Sequence, residues 1–189
     1  MTAASLHPLL AARHSPTRFD PGHEIDPDQV AVLLEAARWA PSAGNSQPWA
    51  FIVGRRGDPV HRRLVRHLAR SSAMWAPTAS MLVANLAHRY VADTDWDYSE
   101  FALYDLGQAV AHMTVQAQAF GLQARQFRAF DRVGLTGEFG VPAHWEVTTM
   151  AAFGRAAGTP DSGPLRDRRA ELLWPVADAV VVSSAPWSP

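Results

Sequence analysis

The sequence predicts a mixed α/β fold of the α+β kind, carried by one domain. Three observations point there. Asp-Pro pairs at Asp26-Pro27 and Asp58-Pro59 open two amphipathic helices, and a continuous apolar run over 79–86 reads as a central strand. Helical and strand patterns then alternate irregularly along the chain, which fits a sheet with helices packed on it and not a regular repeat. A length of 189 residues is enough for one domain with a sizeable core.

The elements follow in order. Residues 5–13 form a short helix with Leu6, Leu9 and Leu10 on one face, and Pro21-Gly22 makes a turn. Asp26 caps the next helix, Pro27 suits its first position, and Gln29 completes a capping box. Val30, Leu33, Leu34 and Ala37 give that helix its stripe, and Pro41 ends it at Ala40. Residues 48–53 are a strand, and the helix after Asp58 turns Val60, Leu64, Val65 and Leu68 inward. Beyond the central strand, the longest helix begins at Asp97 or Ser99 and reaches Phe120, with Gly121 as its stop. It is apolar nearly all round, which predicts burial on most sides, in a core or a subunit interface. Residues 123–127 and 147–153 are further strands, whereas 134–142 reads as loop and 154–164 as irregular surface chain. Leu172-Leu173-Trp174 and Val180-Val181-Val182 are apolar pieces in a polar tail, for which a partner subunit is the natural cover.

Composition excludes several chemistries. All seventeen basic residues are arginine, so a lysine Schiff base or lysine general base is impossible. With no cysteine there is no disulfide, thiolate nucleophile or iron–sulfur ligand. A net charge of −1 gives no global field toward nucleic acid or an anionic membrane, and no apolar run approaches a membrane span. No secretion signal is legible at the N-terminus, so a cytoplasmic location is expected. The eight histidines lack metal-pair spacing, and Gly134, Gly137 and Gly140 lack a dinucleotide-loop context.

The most specific motif is Ala40-Pro41-Ser42-Ala43-Gly44-Asn45-Ser46-Gln47-Pro48-Trp49-Ala50-Phe51, between a helix end and a strand start. Its residues are mostly small or amide-bearing, and suit it to offering N–H groups, a hydroxyl and amides to a planar polar ligand. On composition alone it reads first as a Ser/Asn/Gly turn punctuated by Pro. Two further segments accompany it, Arg13-His14-Ser15-Pro16-Thr17-Arg18-Phe19 and Pro164-Leu165-Arg166-Asp167-Arg168-Arg169. Guanidinium forks from both ends of the chain suit one phosphate.

Together the three segments, from about residue 10 to about 175, resemble the signature of the nitroreductase family of FMN-dependent oxidoreductases. The resemblance implies a central mixed sheet flanked by helices in an intertwined homodimer. It implies a C-terminal extension, from about 160 to 189, packed on the partner subunit. It assigns Arg13, His14, Ser15 and Thr17 to the phosphate and ribityl side of FMN, with Arg166 and Arg168 as the late basic pair. Pro41, Ser42, Ala43 and Asn45 approach the flavin, commonly from the partner subunit. Arg128 and Ala129 stand where the family often has Glu-Gly, with backbone N–H groups facing flavin N5. Thr17 stands where the family often has a basic residue, and no Asn precedes Ala76-Pro77. Trp49, Trp75 and Phe127 are possible ring neighbours. The implied activity is NADPH or NADH oxidation by ping-pong hydride transfer through FMN to a small-molecule electron acceptor (nitroaromatic, quinone or enone), with no nucleic-acid or membrane partner. Alternatives are another flavin reaction on the same fold (dehalogenation, azoline oxidation, flavin breakdown), a protein that only holds flavin, or a structural dimer without it.

Overall fold

A computed structural model describes residues 7–158 and the backbone of two short strands at 172–173 and 181–182. The sheet is built on β2 (Met81–His88), whose first seven residues are buried. β1 (Trp49–Arg55) pairs along one edge of β2 and β4 (Trp145–Gly154) along the other, with β3 (Gln123–Phe127) outside β4. The apolar run therefore marks the centre of the sheet, as its lack of a polar face requires. Every pairing in this sheet is antiparallel, so the mixed sheet expected above is not found among the described strands. β2 and β3 do run the same way, but β4 inserts between them, and each meets an antiparallel neighbour.

Alternation along β2 divides the core in two. Met81 and Val83 face α2 (Pro27–Arg38) and α5 (Ala102–Ala119), through Leu33, Ala37, Ala109 and Met113. Leu82, Ala84 and Leu86 face the other layer, where Leu64 of α3 (Pro59–Arg66) and Leu135 of α6 (Arg132–Glu138) are buried with Phe19. Ala87 lies on the same face as Met81 and Val83 and meets Leu106 and Val110 of α5, while opposite Asn85 and Leu86 it is β4 that carries an extra residue, Thr148. Two short helices, α1 (Pro8–Ala12) and α4 (Arg70–Ala73), complete the layers.

The capping chemistry is as expected. The Asp26 side chain and the Gln29 side chain form a reciprocal capping box on α2, and Asp58 caps α3 through the His61 amide at 2.6 Å. Gly54 lets α3 lie on β1, because a Cβ there would stand 2.5 Å from the His61 backbone nitrogen.

Two expectations are corrected. The long helix starts at Ala102, not at 97 or 99, because residues 89–98 fold back on themselves: Tyr90 bridges Asp97, and the Tyr98 amide donates to the Arg89 carbonyl at 2.9 Å. Within the single chain that helix buries mainly one face, leaving Leu103 43% and Tyr104 70% exposed. Residues 132–138 form α6, not loop, because Asp131 caps the Gly134 amide at 3.0 Å and Leu135 anchors the turn in the core. In the tail, β5 (Leu172–Leu173) pairs antiparallel with β6 (Val181–Val182). Arg166 and Arg168 lie outside the described residues.

Candidate functional site

The 41–48 loop is built from unusual backbone. Gly44, Asn45 and Gln47 have φ of 58°, 56° and 47°, in the left-handed region that glycine and asparagine occupy at least cost. Side chains hold the strain in place. The Gln47 amide donates to Ser42 Oγ at 3.0 Å, and Gln47 Nε2 donates to Asn45 Oδ1 at 3.2 Å. The loop is tied to α5 by the Ala43 amide, which donates to Asp105 Oδ2 at 3.0 Å. Pro41, Ser42 and Ala43 line a cavity of about 280 Å³ with Phe101, Tyr104 and Gln108.

The exit of the loop is clamped by an aromatic stack. His88 lies between Tyr98, at 3.8 Å between ring centres, and Trp145, at 4.5 Å. The His88 amide donates to the Pro48 carbonyl at 3.0 Å, and the Tyr98 hydroxyl donates to the Ser46 carbonyl at 3.1 Å. Burial, followed by the nearby His144, holds the His88 pKa below its ordinary value.

The arm of residues 13–19 lies against β3. The His14 amide meets Gln123 Oε1 at 3.5 Å, and Arg125 Nη1 donates to the Pro16 carbonyl at 3.2 Å. Arg13 and His14 are half-buried, and Ser15 and Thr17 are exposed. At the far end of β3, Arg128 is exposed, with its guanidinium 4.9 Å over the Phe130 ring. The Ala129 carbonyl accepts from the Ala69 amide at 3.1 Å and from the Ser72 hydroxyl. The structure thus brings the arm and the 126–129 segment to one strand. The loop instead bonds to Asp105, in the first turn of α5, while His14 bonds to Gln123, beyond the helix's C-terminal end. Fourteen helical residues, 106–119, lie between Asp105 and the helix's C-terminal end, about 21 Å.

Each half carries an orphaned buried polar atom. His14 Nε2 in the arm and Ser46 Oγ in the loop find no hydrogen-bond partner among the described residues. Buried polar atoms without partners are uncommon, and these two suit a polar ligand. Between α2 and α5 a second cavity of about 500 Å³ opens, lined by Val32, Ala36, Trp39 and Val115 among others. Trp39 is 72% exposed there, its indole N–H held at 2.8 Å by Glu35.

Sequence reading missed Asp105, Tyr98 and Arg125. Asp105 had a signal, being a carboxylate in an apolar helical pattern, and it is 2% exposed. Tyr98 and Arg125 had none, because their partners are distant in sequence. Among the described residues no helix is long and apolar enough to cross a membrane.

Comparison with known proteins agrees with this geometry. A family model described as "Nitroreductase family" matches residues 10–72, which hold both the arm and the loop. The major NAD(P)H-flavin oxidoreductase of Aliivibrio fischeri is 44% identical over 50 residues, spanning 25% of this chain and 23% of that one. A candidate nitroreductase of Desulfovibrio desulfuricans, solved in complex with FMN, is 27% identical, with TM-score 0.69 over 89% of this chain and 99% of its own. A solved oxidoreductase containing FMN shares the fold at TM-score 0.76 and 24% identity, over 84% of this chain and 80% of that one. Over residues 10–72, a third of its length, the chain is similar to the nitroreductase family.

Proposed function

We propose that this protein is an FMN-dependent NAD(P)H oxidoreductase that works as a homodimer, with each flavin site shared between two subunits. The single observation that carries this reading is the separation of the two halves of the site. The loop and the arm, both within the matched family segment, attach near opposite ends of α5 in one chain. A second copy supplies the missing half. The apolar cavity between α2 and α5, with exposed Trp39, and the exposed Tyr104 beside the loop give that copy a surface to bury.

The residues present fit FMN. His14 Nε2 and Ser46 Oγ have hydrogen-bonding capacity to give, and Arg13 has the forked donors a phosphate takes. In this reading Arg13, His14, Ser15 and Thr17 take the phosphate and ribityl end, joined by Arg166 and Arg168. Pro41, Ser42, Ala43 and Asn45 of the partner copy lie against the ring. The stiff left-handed turn holds the Asn45 amide in a set plane. Arg128 and Ala129 present the end of β3, where Arg128 brings positive charge instead of a carboxylate.

When bound, FMN supplies a ring that accepts a hydride from NADPH or NADH and returns two electrons to a nitroaromatic, quinone or enone in a second half-reaction. The protein's work is position and electrostatics, and no side chain here is assigned as general acid. A single domain over 1–189, its extension from about 160 packed on the partner, and a cytoplasmic setting complete the reading.

The test is a visible spectrum of the purified, FMN-loaded protein under anaerobic conditions, before and after NADPH and then NADH. Bleaching of the flavin band, and its return on adding a quinone or nitroarene, is the expected result. A bound flavin that neither donor bleaches would convert the reading to a flavin-holding protein, and no bound flavin would overturn it.

A further inference from the structure

Arg125 stands where three segments of the site meet. Its backbone sits in β3 opposite Ala152. Its guanidinium carbon lies 4.2 Å from the centre of the Trp75 indole ring, and its Nη1 donates to the Pro16 carbonyl at 3.2 Å. Trp75 in turn meets Phe127 edge-on at 5.0 Å and stacks on Phe19 at 6.2 Å. One half-buried cation thus joins the arm, the turn that precedes β2, and the end of β3. Among the described residues, the ion pairs between side chains do not include Arg125. The indole face and a carbonyl hold its charge in place of a carboxylate. Only a flat guanidinium stacks on an indole and keeps an in-plane N–H for a carbonyl at the same time; an ammonium on a flexible stem has no flat face to stack.

We propose that Arg125, stacked on Trp75, is a positioning residue that fixes the Arg13–Thr17 arm on β3 for the phosphate end of FMN. This rests on the flavin reading above. Arg125 acts through the arm: it orders the Pro16 carbonyl and hence the approach of Arg13, His14 and Ser15. Its charge, unpaired by any described carboxylate, adds to the positive field that a phosphate meets there.

The test uses the full chain. Amide hydrogen exchange over residues 14–20 is measured in flavin-free protein, and FMN affinity by quenching of flavin fluorescence. Arg125→Ala should speed exchange of that segment roughly tenfold while leaving β2 and β4 unchanged. It should also raise the FMN Kd roughly tenfold or more, with kcat at saturating FMN close to wild type. Arg125→Lys should keep the charge yet show the same loss of arm protection as Arg125→Ala, and Trp75→Phe, which keeps a ring face, should retain most of the wild-type protection. Should Arg125→Ala fold poorly, Trp75→Leu removes the same face without touching the strand. Wild-type FMN affinity and arm exchange in Arg125→Ala, or full rescue by Arg125→Lys, overturns the proposal while the flavin reading stands. A wild-type protein that binds no FMN overturns both.

Discussion

At the scale of single residues, a few polar side chains decide the shape of the site. Asp105 is 2% exposed and spends its carboxylate on the Ala43 amide and on Gln108 Nε2 at 3.3 Å. Asp105→Ala leaves a loop N–H without its acceptor and should cost about 1–3 kcal/mol. Thermal unfolding of Asp105→Ala and Asp105→Asn checks this, the asparagine variant being the milder because it keeps an oxygen acceptor. Equal Tm values for the alanine variant and wild type would show that the bond is idle. Arg13 is half-buried in the arm, and the proposed function gives it the FMN phosphate. Arg13→Ala should weaken FMN by roughly 1.5–3 kcal/mol, the range for a charged hydrogen bond. Equilibrium titration with FMN decides it. The loop and arm residues were legible in the sequence because their motif is local. Asp105, Tyr98 and Arg125 were not, because each acquires its role from a partner far along the chain.

At the scale of elements, close approach matters more than composition. Gly54 is the point where α3 crosses β1, with the His61 backbone nitrogen 2.5 Å from where a Cβ would be. Gly54→Ala should push the helix from the strand and destabilise by about 1–3 kcal/mol. A urea midpoint unchanged by this substitution would contradict the packing described. The cap at Asp26 was readable because a capping box is a three-residue pattern, and the cap at Asp58 for a similar reason. The helix at 132–138 was not, since two glycines in seven residues argue against helix until Leu135 finds its place among Phe130, Val147 and Met150. The start of α5 was misplaced for the same kind of reason. Residues 97–101 suit a helix locally, but Tyr98 is drawn away to stack on His88 and to bond Ser46.

At the scale of the whole molecule, two predictions follow from how the parts are distributed. Three histidines, His23, His61 and His88, have pKa values held below the ordinary 6.5, in each case chiefly by burial. The folded state therefore resists protons that the unfolded chain accepts. Stability is fully present above pH 6.5 and falls as the pH drops through that value toward the folded-state pKa values. Tm should accordingly be lower at pH 5.5 than at pH 7.5; a flat profile would show that burial does not shift these groups. The second concerns the shared site. In a two-fold dimer, mixing Arg13→Ala and Asn45→Ala subunits should regenerate about a quarter of the wild-type sites, because half the dimers are mixed and each has one intact arm–loop pair. A site contained within one chain regains none, so activity of the remixed pair separates the two arrangements.

The sequence by itself determined the mixed α/β class, the central strand, the two capped helices and the residues of the arm and loop. These rest on periodicity, capping and motif, all of them short-range. Only the tertiary structure decided that the described sheet is antiparallel, that 132–138 is helical, and that loop and arm leave opposite ends of α5. Those outcomes depend on contacts between residues tens of positions apart, whose energies no local pattern encodes.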